Sequence, residues 1–270
     1  MADQTIKQTV AAPPLLKTEV PSDPALTSAG NTVAHPFPFP ARPASDQNQA
    51  GEAGIHLQGF HVLKQFEARG GEADIFLVDL STNQGILKLY RFGVNPKLEI
   101  LQKMVELSRA YSDYFVQIHY FGYHPETRRY FELQEYASEG SLEDFIAHQP
   151  LTEPQIRGLL EKMERVLTTL HEHDVLHLDL KPDNILIRRR EPLELVLTDF
   201  GIASVLSEHI SKKLTDVKGT SLYQSPESIS GIVGRKSDWW SLGIILLELL
   251  SGKNPFEDMG RQVIFYHITT

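Results

Sequence analysis

From Phe60 onward the hydrophobic periodicity of this chain changes twice, and these changes limit the folds that the chain can adopt. Between residues 60 and 136, apolar residues alternate or cluster in short runs bounded by glycine and asparagine, a pattern typical of β-strands. The strand-like runs are 60–63, 75–80, 85–90, 115–122 and 130–136. After Gly140 the period is helical, with one apolar stripe over 156–170 behind a capping box of Thr152 and Gln155. Strands followed by helices predict an α+β protein in two lobes, a small β-rich lobe and a helical one.

One helix is expected inside the strand-rich part. Asn95 suits the N-cap position and Pro96 the first helical position, so this helix is predicted to begin at Pro96. Glu99 and Glu106 follow seven residues apart, which places both on roughly the same face of the helix.

A proline-rich segment precedes the periodic part of the chain. Eight of the 16 prolines lie between residues 13 and 43, and Pro-Phe-Pro-Phe-Pro at 36–40 lacks donors for a helix or a sheet. We therefore predict a disordered linker over 1–57. The alternative is a docking ligand at 36–43 for an unknown partner, although no PxxP spacing is convincing there.

Charge and composition exclude several classes of protein. The 26 Lys and Arg against 35 Asp and Glu give a formal charge of -9, which disfavours nucleic acid and anionic membranes as partners. Without cysteine there are no disulfides, thiolate metal sites or cysteine nucleophiles. No secretory signal opens the chain, and the longest apolar run, 239–250, is too short to span a bilayer. We expect a soluble, cytoplasmic protein.

Two short motifs carry the chemistry. His-Leu-Asp-Leu-Lys-Pro-Asp-Asn spans 177–184, and Asp-Phe-Gly begins at Asp199. Two strand-like runs, 185–187 and 193–197, lie between the motifs, and a hairpin of these runs would bring Asn184 and Asp199 close together at its open end. An amide oxygen and a carboxylate are hard ligands, suited to Mg²⁺ that already holds nucleotide phosphates.

Asp179 and Lys181 lie beside these ligands. A carboxylate there can accept a hydroxyl proton, and a cation can stabilise developing phosphate charge. The two motifs and their order resemble the H-R-D-x-K-x-x-N and D-F-G motifs of the eukaryotic-type (Hanks-type) serine/threonine protein kinases. The resemblance implies ATP and Mg²⁺ as cofactors, Asp179 as catalytic base, Lys181 at the γ-phosphate, and Asn184 and Asp199 as metal ligands.

Lys88 ends a Gly-Ile-Leu-Lys run that resembles the family's strand with the phosphate-gripping lysine. Alone, the run would be an ordinary strand with a lysine at its end. The resemblance implies a glutamate partner on the next helix. We predict Glu99, which precedes an apolar pair as in the family, and Glu106 is the alternative.

The nucleotide loop is the weakest match. The family's G-x-G-x-x-G-x-V aligns with Ala68, Gly70, Ala73 and Ile75, and Gly71 stands beside the one retained glycine. Small alanines still let a backbone approach phosphates, with less conformational freedom than glycine. Taken alone, this segment would be a tight β-turn.

Gln-Glu-Tyr-Ala at 134–137 resembles the hinge between the kinase lobes. The resemblance implies that backbone groups of Glu135 and Ala137 bond the adenine edge and that Gln134 stands at the back of the pocket. The alternative is a strand that runs into a helix capped at Ser141, and the two interpretations are compatible.

Residues 204–227 resemble the family's activation segment, with Ser-Pro-Glu at 225–227 in place of Ala-Pro-Glu. The pairing of Thr220 with Lys181 is the one expected of serine/threonine kinases. By the same resemblance, Asp238 would bond the backbone of the catalytic loop, a structural role.

Two departures from the family qualify this resemblance. Leu178 replaces an arginine that binds an activation-loop phosphate, so we expect activity without phosphorylation there. Only fourteen residues follow Phe256, so the C-lobe is expected to be truncated and Glu227 to lack its usual arginine. The predicted bounds are 58–270 for the kinase domain, about 58–135 for its N-lobe and about 138–270 for its C-lobe.

The sequence thus predicts a serine/threonine protein kinase that transfers the γ-phosphoryl group of Mg-ATP to a protein hydroxyl. A pseudokinase that binds nucleotide or serves as a scaffold is the first alternative. The degenerate loop and the expected truncation of the C-lobe favour it, whereas the retention of Lys88, Asp179, Asn184 and Asp199 argues against it. A small-molecule kinase is the second, although it would not need the segment from Thr220 to Glu227, which serves a peptide platform.

Overall fold

The computed structural model describes residues 59–67, 71–200, 204–205, 221–229 and 232–259. The predicted linker over 1–57 and most of the predicted activation segment, including Thr220, lie outside the described residues, as do Ala68 and Gly70.

Five antiparallel strands form the sheet of the N-terminal part. They are β1 (His61–Phe66), β2 (Ala73–Asp79), β3 (Gln84–Tyr90), β4 (Ile118–His124) and β5 (Arg129–Glu135), in the order β1-β2-β3-β5-β4. One face of the sheet holds an apolar cluster of Phe76, Val78, Leu87, Leu89, Phe131 and Leu133. Because side chains alternate between the faces of a strand, Lys88 and Glu132 lie on the opposite face.

Helix α1 (Leu98–Ala110) lies between β3 and β4 in the chain, and its buried residues join the larger core of the protein. The helix begins at Leu98 with Lys97 as the N-cap, so the prediction of Asn95 as cap and Pro96 as first helical residue is wrong. Pro96 is itself buried, and the first buried residues of the helix are Ile100 and Leu101. We infer that packing, rather than the local cap preference, sets the start of the helix.

The remaining helices build the C-terminal part. They are α2 (Leu142–Ile146), α3 (Glu153–Glu172), α4 (Pro226–Ile229) and α5 (Arg235–Ser251). Helix α3 begins as predicted, with the backbone N–H of Thr152 donating to Gln155 Oε1 at 2.9 Å. Its apolar stripe, over 156–170, is the centre of the larger core, to which α5 contributes Leu242, Ile244 and Ile245.

Short strands connect these helices and carry the two motifs. They are β6 (Val175–Leu176), β7 (Ile185–Arg189), β8 (Glu194–Leu197) and β9 (Ser204–Val205), with β6 paired to β9 and β7 to β8. A 3₁₀ turn at Pro182–Asn184 leads directly into β7. The predicted α+β fold, with a strand-rich part followed by a helical part, is confirmed. Within the described ranges, no helix combines the length and the apolar character needed to cross a bilayer.

Candidate active site

The segment from His177 to Leu180 is held by one buried carboxylate at the start of α5. Asp238 is fully buried and accepts hydrogen bonds from the backbone N–H groups of His177 (3.0 Å) and Leu178 (2.8 Å). Its Oδ2 also lies 2.8 Å from Nε2 of His171 on α3. Leu178 has φ of 66°, a conformation that a leucine adopts only under constraint. Asp238 therefore binds the backbone of this segment, as the sequence predicts.

Asp179, Lys181 and Asn184 form a compact cluster. Lys181 Nζ donates to Asp179 Oδ2 at 2.9 Å, and Asn184 Nδ2 donates to the same oxygen at 3.0 Å and to the Asp179 carbonyl at 2.7 Å. Burial lowers the pKa of Lys181, but the Asp179 carboxylate outweighs burial and raises it, so the lysine is cationic. The cluster orients a carboxylate beside a fixed positive charge.

The β7–β8 hairpin brings the two predicted metal ligands to one end. Ile185 pairs with Leu197, and the Thr198 N–H donates to the Asn184 carbonyl at 2.9 Å, so Asp199 emerges next to Asn184. Because the Asn184 amide nitrogen is engaged with Asp179, its amide oxygen is the atom left for a cation. An amide oxygen and a carboxylate fit Mg²⁺, the metal that the sequence implies.

Lys88 reaches this end of the hairpin from the N-terminal sheet. Its Nζ forms an ion pair with Asp199 Oδ1 at 2.6 Å, and the lysine is only 6% exposed. Burial lowers the pKa of Lys88, but the carboxylates of Asp199 and Glu132 outweigh burial and raise it. The structure therefore brings together five of the predicted residues: Lys88, Asp179, Lys181, Asn184 and Asp199.

The two glutamates of α1, which are the predicted partners of Lys88, lie on the exposed side of the helix. Glu99 and Glu106 are both exposed, and Glu106 accepts a hydrogen bond from Gln102 at 3.2 Å. Neither forms an ion pair with Lys88 in the part of the chain that the structure describes.

Glu132 is a site residue that the sequence interpretation missed. It is 1% exposed, and it lies opposite Lys88 in the register of the neighbouring strands β3 and β5. The available signal was an acid and an amide, Glu132 and Gln134, on one face of a strand whose other face carries Phe131 and Leu133. Two polar residues on one side of a central strand indicate a site rather than a solvated surface.

The described part of the nucleotide loop runs into β2. Gly71 is exposed, Ala73 is buried opposite Tyr90, and Ile75 pairs with Lys88. Partial burial of the Glu72 carboxyl group, followed by the negative charge of Asp199, raises its pKa. The predicted contacts of this loop with a nucleotide remain predictions.

The 134–137 segment links the sheet to the helical part. Gln134 is buried, donates to Glu132 Oε1 at 2.6 Å and accepts from Thr198 Oγ1 at 3.2 Å, which places it beside Lys88 and Asp199. Ala137 is also buried. The predicted helix cap at Ser141 is confirmed, in a capping box with Asp144. The adenine contacts expected of Glu135 and Ala137 stay predictions.

The end of the predicted activation segment packs on α5. Ser241 Oγ donates to the Tyr223 carbonyl at 2.8 Å, and Ser237 Oγ lies 3.5 Å from Glu227 Oε1.

Comparison with known proteins agrees with this geometry. The family model for the protein kinase domain matches residues 81–270. The chain is 29% identical over 212 residues to serine/threonine-protein kinase PrkC of Bacillus subtilis, covering 76% of this chain and 32% of that protein. It is 33% identical over 196 residues to serine/threonine-protein kinase PLK2 of Mus musculus, covering 70% of this chain and 28% of that protein.

A third relative, serine/threonine-protein kinase 17A of Oryctolagus cuniculus, is 29% identical over 184 residues, which cover 66% of this chain and 46% of that protein. The chain thus spans less than half the length of each of these relatives. The family match covers more than half of the chain and includes both motifs. The chain belongs to the protein kinase family, among the Hanks-type serine/threonine kinases.

Proposed function

We propose that this protein transfers the γ-phosphoryl group of Mg-ATP to serine or threonine hydroxyls of a protein substrate. The observation that carries the proposal is the ion pair between Lys88 of the sheet and Asp199, which follows β8. Asp179 and Asn184 lie beside this pair and are hydrogen-bonded to each other. These four residues are of the types that phosphoryl transfer requires, and Lys88 comes to the other three from a distant part of the sequence.

In this proposal Lys88 orients the α- and β-phosphates, and Asn184 and Asp199 supply the oxygens that hold Mg²⁺. The metal would neutralise the charge of the transferring group. Backbone groups of Glu135 and Ala137 would bond the adenine edge, with Ala68, Gly70, Gly71, Ala73 and Ile75 over the phosphates.

Asp179 positions the attacking hydroxyl and accepts its proton. Its carboxylate is held by two donors on Oδ2, Lys181 and Asn184, so its orientation is fixed before the substrate arrives. Lys181 carries the positive charge that offsets the phosphoryl oxygens as the bond to the leaving group breaks.

A pseudokinase is the second candidate, and Glu72 favours it. Its carboxyl group interacts electrostatically with Asp199 and Lys88, and a negative charge so placed would oppose phosphates near them.

The test is incubation with labelled ATP and Mg²⁺, with the protein alone and with a generic basic protein. We expect label on protein in the wild type, none in Asp199→Ala, and wild-type labelling in the control Asp113→Ala, an exposed position outside the site. Nucleotide binding without transfer in the wild type would identify a pseudokinase. Transfer only to a small hydroxyl compound would identify a small-molecule kinase.

A further inference from the structure

We propose that Thr198 is a positioning residue of the candidate metal site, and that its hydroxyl group ties this site to the N-terminal sheet through Gln134. The proposal rests on the proposed function, because it concerns Asp199, which would hold Mg²⁺ and directly follows Thr198 in the chain. Thr198 acts through Asp199 and not on the phosphoryl group itself.

The backbone and the side chain of Thr198 are hydrogen-bonded to three different parts of the site. Its N–H donates to the carbonyl of Asn184, just before β7, at 2.9 Å. Its carbonyl lies 2.9 Å from Nε2 of the fully buried His177. Its Oγ1 donates to Gln134 Oε1 on β5 at 3.2 Å. Because Thr198 is held at three points, these bonds fix where the backbone of Asp199 begins.

His177 extends this connection to the proposed catalytic base. Because a carbonyl can only accept, Nε2 of His177 carries the hydrogen and donates to Thr198. Nδ1 is the acceptor, and it accepts from the backbone N–H of Asp179 at 3.2 Å. Thr198 is therefore bonded both to the end of the hairpin, at Asn184, and to the segment that carries Asp179.

On the sheet side, Gln134 continues these hydrogen bonds into the interior. Its Nε2 donates to Glu132 Oε1 at 2.6 Å, and Tyr90 Oη donates to Glu132 Oε2 at 2.9 Å. The first of these bonds decides which end of the amide meets Thr198, because a flipped amide would turn its oxygen towards a carboxyl oxygen. Gln134, Glu132 and Tyr90 are all buried, none of them more than 6% exposed, so water does not compete for these bonds.

The contact between Gln134 and Thr198 is a second link from the sheet to this segment, beside the Lys88–Asp199 ion pair at 2.6 Å. In the proposed function Lys88 turns to the phosphates and Asp199 to Mg²⁺, so ligand contacts replace the ion pair. Thr198 and Gln134 carry no charge that these ligands would attract, and their contact remains. It therefore keeps the metal ligand in place relative to the sheet while the site is occupied.

The first test is hydrogen exchange of the nucleotide-free full chain, followed by mass spectrometry of the segment 177–184. Thr198→Val keeps the shape of the side chain and removes its hydroxyl group, and Gln134→Met does the same for the amide. We expect the amides of 177–184 to exchange about 3- to 10-fold faster in both variants, because each loses the buried bond between the two side chains. Thr198→Ser keeps the hydroxyl group and should exchange at the wild-type rate.

The matched control is Thr169→Val in α3. Thr169 is also buried, and its hydroxyl donates to the Arg165 carbonyl of the same helix at 2.8 Å. We expect Thr169→Val to lower the melting temperature, as Thr198→Val does, and to leave the exchange of 177–184 at the wild-type rate. A merely structural role for the Thr198 hydroxyl predicts the same exchange in both valine variants.

The Mg²⁺ dependence of ADP binding, measured by calorimetry at a series of Mg²⁺ concentrations, is the second test. We expect the Mg²⁺ concentration for half-maximal binding to rise about 3- to 10-fold in Thr198→Val and in Gln134→Met, because Asp199 is held less well. In the double variant the rise should stay close to that of the single variants, since both changes remove the same contact. Thr198→Ser and Thr169→Val should keep the wild-type dependence.

A wild-type exchange rate or a wild-type Mg²⁺ dependence in Thr198→Val would overturn the proposal. So would multiplied effects in the double variant, or equally fast exchange of 177–184 in Thr169→Val. If the wild type binds no ADP, the proposed function fails, and hydrogen exchange alone decides whether Thr198 and Gln134 hold the 177–184 segment. Should Gln134→Met fail to fold, the same two measurements on Thr198→Val and Thr198→Ser decide the question.

Discussion

Arg188 and Glu135 join the helical part to the end of the sheet through a two-pronged ion pair. Arg188 Nε donates to Glu135 Oε1 at 2.5 Å, and Nη2 donates to Oε2 at 2.7 Å. The same guanidinium donates to the carbonyls of Ser112 (2.6 Å) and Phe115 (3.0 Å), which follow α1. One side chain on β7 thus ties together the lobe connection and the turn after α1.

We expect Arg188→Lys to destabilise the protein by about 1–3 kcal/mol. An ammonium cannot reproduce the planar fork that binds both oxygens of Glu135, and the two side chains are only 25% and 20% exposed. The matched control is Arg190→Lys, whose partner Glu139 and whose own side chain are far more exposed, so its cost should stay below about 1 kcal/mol. Urea unfolding measures both, and equal costs would contradict the prediction.

Asp238→Asn is expected to cost about 2–4 kcal/mol of stability. The amide would turn an NH₂ donor towards the N–H groups of His177 and Leu178 or towards His171, at a position with no solvent exposure. It would also release the constraint that holds Leu178 at positive φ. Denaturant unfolding tests this against Asp258→Asn, an exposed position where no measurable change is expected. A wild-type midpoint for Asp238→Asn would refute it.

Much of the fold was predictable because its signals are local. The β7–β8 hairpin follows from two apolar runs around a charged turn, and its closure places Asn184 and Asp199 at one end. The capping box of Thr152 and Gln155 is equally local, since both residues lie within one helical turn. Where a local preference competes with burial it can lose, as at the start of α1.

The contacts of the site were less predictable because they join residues far apart in the sequence. Arg188 and Glu135 are 53 positions apart, and Lys88 and Asp199 are 111 apart. Alternation along β5 places Glu132 and Gln134 on one face, but it does not say which residues of other elements lie next to them. The family resemblance predicts the partner of Lys88 on the following helix, whereas in the structure its ion-pair partner is Asp199.

Asp74→Asn should show a pH-dependent loss of stability. Burial raises the pKa of Asp74, but hydrogen bonds from Arg129 (2.5 Å) and Arg91 (3.2 Å) outweigh burial and lower the pKa below 3.8. A lowered folded-state pKa means that the carboxylate stabilises the fold above 3.8 and that this contribution is lost as the pH falls through the folded value.

We expect Asp74→Asn to cost about 1–3 kcal/mol at pH 7 and the gap from the wild type to narrow as the pH falls below 3.8. Urea unfolding at a series of pH values measures the gap. Glu126→Gln, in the exposed turn before β5, is the control and should show no such gap. A stability difference that grows as the pH falls would show that the predicted direction of the pH dependence is wrong.

Asp179→Asn is expected to lower the rate of phosphoryl transfer about 10²- to 10⁴-fold with nucleotide affinity little changed. An asparagine oxygen can still accept from Lys181 and Asn184, so the cluster keeps its shape. What it loses is the negative charge that accepts the hydroxyl proton. Single-turnover kinetics and Mg-ADP titration separate the two quantities, with Asp183→Asn in the adjacent 3₁₀ turn as the control for removal of one charge. Full turnover by Asp179→Asn would remove Asp179 as the base, whereas a parallel loss of nucleotide affinity would make it a residue of the binding site.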